Sequence, residues 1–377
     1  FGLSGLVMGI LNAHQIFLVP AIAPAMYSIG MILGTILLPE VWGIRRLAFG
    51  VLAGALMHLL IQIPRLLRLR ERAYHLYLGL RNKAVLEVFR LMGPRLLGVA
   101  VVQLNFIANT IIALGQPEGS VTAITLAFSL MLMPQMAVAQ SAAIASLPTF
   151  SAQVARGELD EMRHSLASTL RAVLLLAIPA SVGLILLRTP LVALLYQRGA
   201  FSARSTALVT WALLWYAAGL VGHTLVEILS RAFYALHDTR TPVIVGVITM
   251  GLNIGFSLLF SALFEQIGWM PHGGLALANS LATALESAAL LILMRKRLKG
   301  LEAGFIWRGV GVSVLGTGLM SVVLLGWLVV FDDGSRMVTV TGALVFGLTV
   351  YLGLMWVLKM PELRGMLRTL VQKIKRG

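Results

Sequence analysis

The chain has 377 residues, of which 58% are hydrophobic and only 12% charged, with a formal net charge of +15 and no cysteine. A soluble domain of this length carries roughly a quarter of its residues charged, so a water-soluble fold is excluded. The absence of cysteine excludes disulfides and thiolate metal sites.

The chain opens on "FGLSGLVMGI", with no initiator methionine and no signal-peptide n-region. This reads as the remnant of a helix, in a fragment that lacks upstream spans. Ten complete spans follow, near 19–38, 44–64, 94–114, 120–147, 171–188, 207–230, 242–264, 274–294, 309–331 and 338–358. Each has about the 20 apolar residues that cross a ~30 Å hydrocarbon core as a helix. A helix buried in a soluble core would keep a polar face, but "VIVGVITMGLNIGFSLLFSALF" (243–264) is apolar nearly all round. The expected fold class is all-α, a polytopic membrane helix bundle.

The placement of charge gives the orientation. Taking connections alternately, 22 Lys and Arg fall on one side (65–90, 148–169, 231–240, 295–308 and 359–377) and 6 on the other. Positive charge is retained in the cytoplasm, so the 22-charge side and the C-terminal tail are expected inside. Basicity of this kind is topological, and nucleic acid is not an expected partner.

The short elbow "RAFYALHDTRTPV" (231–243) joins two of these spans. Arg231 and Arg240 lie where cations are held inside. Thr241-Pro242 reads as a helix start, with Asp238 placed to complement the dipole. The same order of elbow, proline and "-IG" occurs in "NAHQIFLVPAIAPAMYSIGMILG" (12–34), and each occurrence is followed by one more span ending in a basic run. Such a correspondence is what an internal repeat leaves, as in transporters built from two related halves. It places the boundary between halves in the basic connection 65–93.

Polar residues inside spans are functional candidates, because a charge at mid-helix costs roughly 2.5–3.5 kcal/mol. Of the carboxylates only Glu227 and Glu286 fall inside spans. Glu227 stands four residues before Arg231, the spacing of a same-face ion pair. Glu286 has no such partner in its own helix, which leaves a cavity position, a proton or a bond to another helix. Gln103, Asn105 and Asn109 share one span, and Asn253 lies between Gly251 and Gly255 in another, where small residues permit close helix approach. Interhelical hydrogen bonding is one reading of these amides. His58 and His223 are isolated in apolar helices and read as packing or helix-bonding residues. No G-x-S-x-G, P-loop or H-E-x-x-H motif occurs, and no aspartate lies in any span, so an enzyme is not expected.

Six stretches carry a resemblance: "GILNAHQIFLVPAIAPAMYSIGMI", "MGPRLLGVAVVQLNFIANTIIA", "GSVTAITLAFSLMLMP", "IPASVGLILLRTPLVALLYQRGAF", "RAFYALHDTRTPV" and "GGLALANSLAT". In this order they resemble the MurJ (MviN) family of lipid II flippases, within the multidrug/oligosaccharidyl-lipid/polysaccharide exporter superfamily. The resemblance implies fourteen helices in two six-helix lobes plus two. On that pattern 1–64 ends the N-terminal lobe, 65–93 is a cytoplasmic connection and 94–294 is the C-terminal lobe. Residues 309–358 are then the two additional helices, and 359–377 a basic cytoplasmic tail.

It further implies a multi-pass protein of the bacterial cytoplasmic membrane that carries an undecaprenyl-pyrophosphate-linked peptidoglycan precursor across by alternating access. Its partners would be that lipid, the membrane lipids and cell-wall synthesis proteins, with no cofactor. The alternatives are an exporter of another lipid-linked glycan or amphiphile, and a non-transporting scaffold. The candidate substrate cavity comprises Gln103, Asn109, Ser129, Gln135, Asn253 and Glu286.

Some family members hold a sodium ion with Asp at the position of Asn109, and with Asn and Asp at the positions of Asn253 and Ser257. Both acids are absent here, and neutral oxygens alone undercompensate a hard cation, so no metal is expected. Where this chain has Phe128-Ser129 the family usually has Asp-Arg, whose arginine is thought to engage the lipid's anionic headgroup. Ser129 and Gln135 would offer only neutral hydrogen bonds.

Overall fold

The computed structural model describes residues 1–14, 16–69, 83–331, 335–358 and 360. Much of the basic connection, and the tail from 359 apart from Met360, lie outside the described residues. Every regular element among those described is helical, as hydrocarbon requires of backbone groups that no water can satisfy. Nine described helices are long and apolar enough to cross a membrane. The expected span 94–114 falls within a further helix, Lys83–Leu114, and the opening remnant is the short helix Gly2–Ala13. Contacts divide the chain into two compact units, Phe1–Glu87 and Val88–Gly377.

The first unit holds α1 (Gly2–Ala13), α2 (Leu18–Leu37), α3 (Arg45–Leu60) and α4 (Ile63–Leu67). Both α2 and α3 carry a G-x-x-x-G pattern, at Gly30 and Gly34 and at Gly50 and Gly54. The two patterns face one another: a Cβ on Gly30 would stand 2.2 Å from the Cα of Gly54, and one on Gly34 would stand 2.4 Å from that of Gly50. Only glycine lets two backbones approach so closely, and between membrane helices close packing replaces the hydrophobic drive that lipid removes. His58 bonds to Ser4 on α1 through Nδ1 (2.5 Å), and Gln62 Nε2 donates to Ser4 Oγ (2.7 Å). His58 is therefore a helix-bonding residue.

The second unit begins along α5 (Lys83–Leu114) and continues with α6 (Ser120–Gln135) and α7 (Ser141–Ala155). A π-turn at Met136–Gln140 joins α6 to α7 as one rod. Pro134 brings no N–H to the preceding turn, which loosens the hydrogen-bond register there. Next come α8 (Leu159–Tyr196), α9 (Ala203–Ala235), α10 (Arg240–Gln266), α11 (His272–Arg297), α12 (Ala303–Val330) and α13 (Arg336–Val357). Several helices outrun the expected spans: the rod 120–155 and α8 extend well beyond 120–147 and 171–188.

Helix α9 is the central element, packed against α6, α7, α8 and α11. One apolar cluster (Ile124, Met131, Leu213, Leu220, Leu275) fills the space around one half of α9. A second (Phe150, Leu166, Ile228, Phe233, Leu290) surrounds its other half, and a third (Leu187, Met320, Leu324, Tyr351) joins α8 to α12 and α13. Near the start of α9, Trp211, Trp215, Phe264 and Trp269 form an aromatic knot, with ring centroids 5.2 Å apart for Phe264 and Trp269 and 5.3 Å for Trp211 and Trp269. Such rings suit the membrane interface.

The elbow between α9 and α10 is built from paired caps. The Asp238 N–H donates to Phe233 O and the His237 N–H to Tyr234 O, a Schellman closure with His237 at the left-handed position (φ 58°). Asp238 then accepts from the Thr241 N–H (3.0 Å) and from its hydroxyl (2.8 Å). The side chain that caps α10 is therefore Asp238 rather than Thr241. Arg231 donates to Glu227 at 2.6 Å, the ion pair expected from their spacing.

Candidate functional site

A cavity of about 470 Å³ opens in the second unit, walled by α5, α6, α9, α10 and α11. Helical periodicity brings its polar groups together. Asn105 and Asn109 lie four apart on α5, Thr249 and Asn253 four apart on α10, and Asn279, Thr283 and Glu286 recur at four and three on α11. Each set occupies one face of its helix. Helix α9 contributes Tyr216 and His223, seven apart, and α6 contributes Thr125, Phe128 and Ser129.

The amides form a network, within which Asn253 Nδ2 is buried without a hydrogen-bond partner. Asn109 Nδ2 donates to Asn253 Oδ1 at 2.9 Å, Asn105 Nδ2 donates to the same oxygen at 3.1 Å, and Ser257 Oγ donates to Asn109 Oδ1 at 2.8 Å. Asn109 also donates to Asn105 Oδ1 (3.1 Å). These oxygens, which a cation would need, are already accepting hydrogen bonds from neutral neighbours. No cluster of His, Asp and Glu suited to a metal occurs among the described residues.

On the opposite wall His223 Nε2 bonds to Asn279 Oδ1 at 3.0 Å. Phe128 lies edge-on to Tyr216 (5.2 Å between centroids) and near His223 (6.2 Å). An aromatic ring thus stands at the position for which the resemblance implies an acid. Ser129 is exposed, and its hydroxyl donates to Thr125 O at 2.8 Å. Glu286 is half-buried, with Thr249 Oγ1 3.4 Å away on α10.

Of the six candidate residues, the cavity brings together Asn109, Ser129, Asn253 and Glu286. Gln103 and Gln135 do not line it. Gln103 precedes Asn105 by two residues, which is about 200° around a helix, and it is exposed on another face. Gln135 follows Ser129 by six residues, again off the same face, and is buried at the entry to the π-turn. Asn105, Thr249, Tyr216, His223 and Asn279 also line it, without having been singled out as cavity residues. The seven-residue spacings Tyr216–His223 and Asn279–Glu286 were the signal available for four residues of this wall. Among the described residues the lining holds one carboxylate and no Lys or Arg.

A family model described as "Lipid II flippase MurJ" matches residues 1–344. The lipid II flippase MurJ of Burkholderia cenocepacia is 30% identical over 370 residues, covering 94% of this chain and 70% of that protein. A probable lipid II flippase MurJ of Vibrio cholerae is 28% identical over 367 residues, covering 93% of this chain and 67% of its own. Among solved structures, a lipid II flippase MurJ in an inward closed conformation superposes with a TM-score of 0.77 at 24% identity, over 94% of this chain and 70% of that one, which shows a shared fold. With a family match spanning most of the chain, a 30% identical relative and the same helical fold, this chain belongs to the MurJ lipid II flippase family.

Proposed function

We propose that the chain acts in a lipid II flippase, a multi-pass transporter of the bacterial cytoplasmic membrane that moves the lipid-linked peptidoglycan precursor between leaflets. The observation that carries this reading is the family match over residues 1–344, set on a fold of membrane-length helices. The family transports and does not catalyse, and no step here requires bond chemistry. The headgroup would pass beside the polar cavity of the second unit while the prenyl chain stays in lipid, with alternating access opening each side in turn. Cell-wall synthesis proteins belong to the same proposal as partners.

One observation favours a second reading, export of another lipid-linked glycan or amphiphile. The lining has a lone carboxylate and no cation, with Phe128-Ser129 where Asp-Arg is usual. This wall therefore offers a pyrophosphate no charge-assisted bond.

The test is reconstitution of the full chain into vesicles containing headgroup-labelled lipid II. Leaflet exchange should be faster than in protein-free vesicles, as read by an impermeant quencher. Exchange at the protein-free rate would overturn the flippase reading, and exchange of a different glycolipid alone would support the second.

A further inference from the structure

We infer that Glu286 is a proton-binding site in the cavity wall, loaded from water while the cavity is open and neutral when the cavity closes over it. The inference deepens the transporter reading and rests on it for its role in the cycle. Glu286 sits near the middle of α11, a helix of membrane length. A carboxylate at such a depth requires a cation, a proton or water. Among the described residues no Lys or Arg comes within salt-bridge distance of it, whereas Glu227 holds Arg231 at 2.6 Å. Among the described residues its side-chain hydrogen-bond partner is Thr249 Oγ1, at 3.4 Å.

That hydroxyl is only a weak donor to the carboxyl group. Its single hydrogen lies closer to the backbone carbonyls of Val245 (3.0 Å) and Gly246 (3.1 Å). Its donation to Glu286 Oε2, at 3.4 Å, is therefore the longest of the three, and it offers a buried carboxylate little compensation. Gly246 leaves room at the other oxygen, since a Cβ there would stand 3.5 Å from Oε1.

A metal cation fits less well than a proton. A hard cation needs several oxygens at once, and the nearby Asn109 and Asn253 oxygens already accept from Ser257, Asn105 and Asn109. A proton needs one oxygen. The other titratable groups on this cavity are His223 and Tyr216, both from α9. The described lining residues of α5, α6 and α10 are all uncharged. His223 is bonded through Nε2 to Asn279. The step is an ionisation alone: the O–H bond of the acid breaks, its electron pair stays on the carboxylate, and the proton leaves to cavity water.

The experiment takes the full chain in lipid membranes and records infrared difference spectra as the pH is stepped. A carboxylic-acid C=O band should grow as the pH falls. It should be lost in Glu286→Gln and kept in Glu118→Gln, a change at an exposed residue between α5 and α6. A band retained in Glu286→Gln overturns the inference, as does one abolished at constant pH by exchanging choline for sodium. Should Glu286→Gln fail to fold, Glu286→Asp must show its own band displaced in pH, and the absence of any such displacement overturns the inference. Lipid II exchange in vesicles is the second readout: its pH dependence should disappear with Glu286→Gln. A band that behaves as expected, beside lipid II exchange that never exceeds protein-free vesicles, retains the proton site and discards the flippase reading.

Discussion

Asn253 Oδ1 receives two hydrogen bonds, from Asn105 and Asn109, and Ser257 closes the chain onto Asn109. Each bond of this neutral network between membrane helices contributes on the order of 0.6–1.7 kcal/mol, and the one group left over, the buried Asn253 Nδ2, is a donor that no cation could satisfy. Thermal stability of the chain should therefore be the same in sodium and in choline at equal ionic strength. Asn109→Asp with Ser257→Asp puts two like charges against each other, which destabilises the fold until a cation binds. The double variant should melt lower in choline and recover with sodium, by mass action on the folded state. Equal melting in both salts would show that the site cannot be rebuilt from these two positions. At Phe128-Ser129 the argument runs through the substrate. Phe128→Asp with Ser129→Arg gives the exposed position a cation and a nearby acid to offset it. Lipid II binding, read by native mass spectrometry, should tighten by about 1–3 kcal/mol, with no change if the substrate carries no pyrophosphate. These residues also show what a sequence can reveal. Glu227–Arg231 was legible because both ends lie on one helix at spacing four. His223 with Asn279 was not, since partners on different helices have no spacing to read. Gln103 and Gln135 were grouped with the cavity by being polar and near its other residues, and helical rotation sends them elsewhere.

Among the helices, the pairing of α2 with α3 depends on four glycines that also read as ordinary apolar sequence. The spans were evident from length and hydropathy, but the meeting of the two G-x-x-x-G faces needed coordinates. A Cβ on Gly54 would stand 2.5 Å from the backbone oxygen of Tyr27, so Gly54→Ala must push the helices apart. A loss of about 1–3 kcal/mol is expected, the usual range for overpacking. Gly9→Ala in α1 meets nothing within 4 Å and should be neutral or slightly stabilising, since alanine is the better helix former. Equal effects of the two on thermal unfolding would contradict the close packing. The elbow before α10 makes a prediction about acid. The Thr241 backbone N–H, followed by its hydroxyl and the Arg297 charge, holds the Asp238 carboxyl below its ordinary range, against a smaller opposing effect of burial. A carboxyl whose folded value is lowered stabilises fully above its unfolded value and loses that contribution as pH falls through the folded value. Asp238→Ala should cost about 1 kcal/mol at neutral pH, as for other lost N-terminal caps. The gap between variant and parent should narrow as the solution is made strongly acid, and a gap that widens would exclude the carboxylate as the cap.

At the scale of the whole molecule, the orientation follows from α8 and from the charge at its two ends. With 38 residues, the helix is about 57 Å long at 1.5 Å per residue, well beyond a ~30 Å core. Residues just outside its two ends must then lie on opposite sides of the membrane if α8 crosses it. The charge asymmetry assigns the side: the connection before α8 belongs to the basic set that is kept inside. Arg188, Arg198 and Arg204 are the apparent exceptions, near the other end. Arg198 turns back to donate to Leu195 O at 3.0 Å and Arg188 bonds to Ile185 O, so both are engaged along the C-terminal part of α8. A cation there complements the helix dipole, a local reason for arginine at an outward end that leaves the overall asymmetry intact. The native chain has no cysteine, so single cysteines report cleanly. Arg156→Cys, in the exposed turn before α8, should resist a membrane-impermeant thiol reagent added to intact cells and react once the membrane is opened. Ala203→Cys, exposed at the start of α9, should react from outside in intact cells. The reverse pattern would invert the orientation, and labelling of both from outside would mean that α8 does not cross.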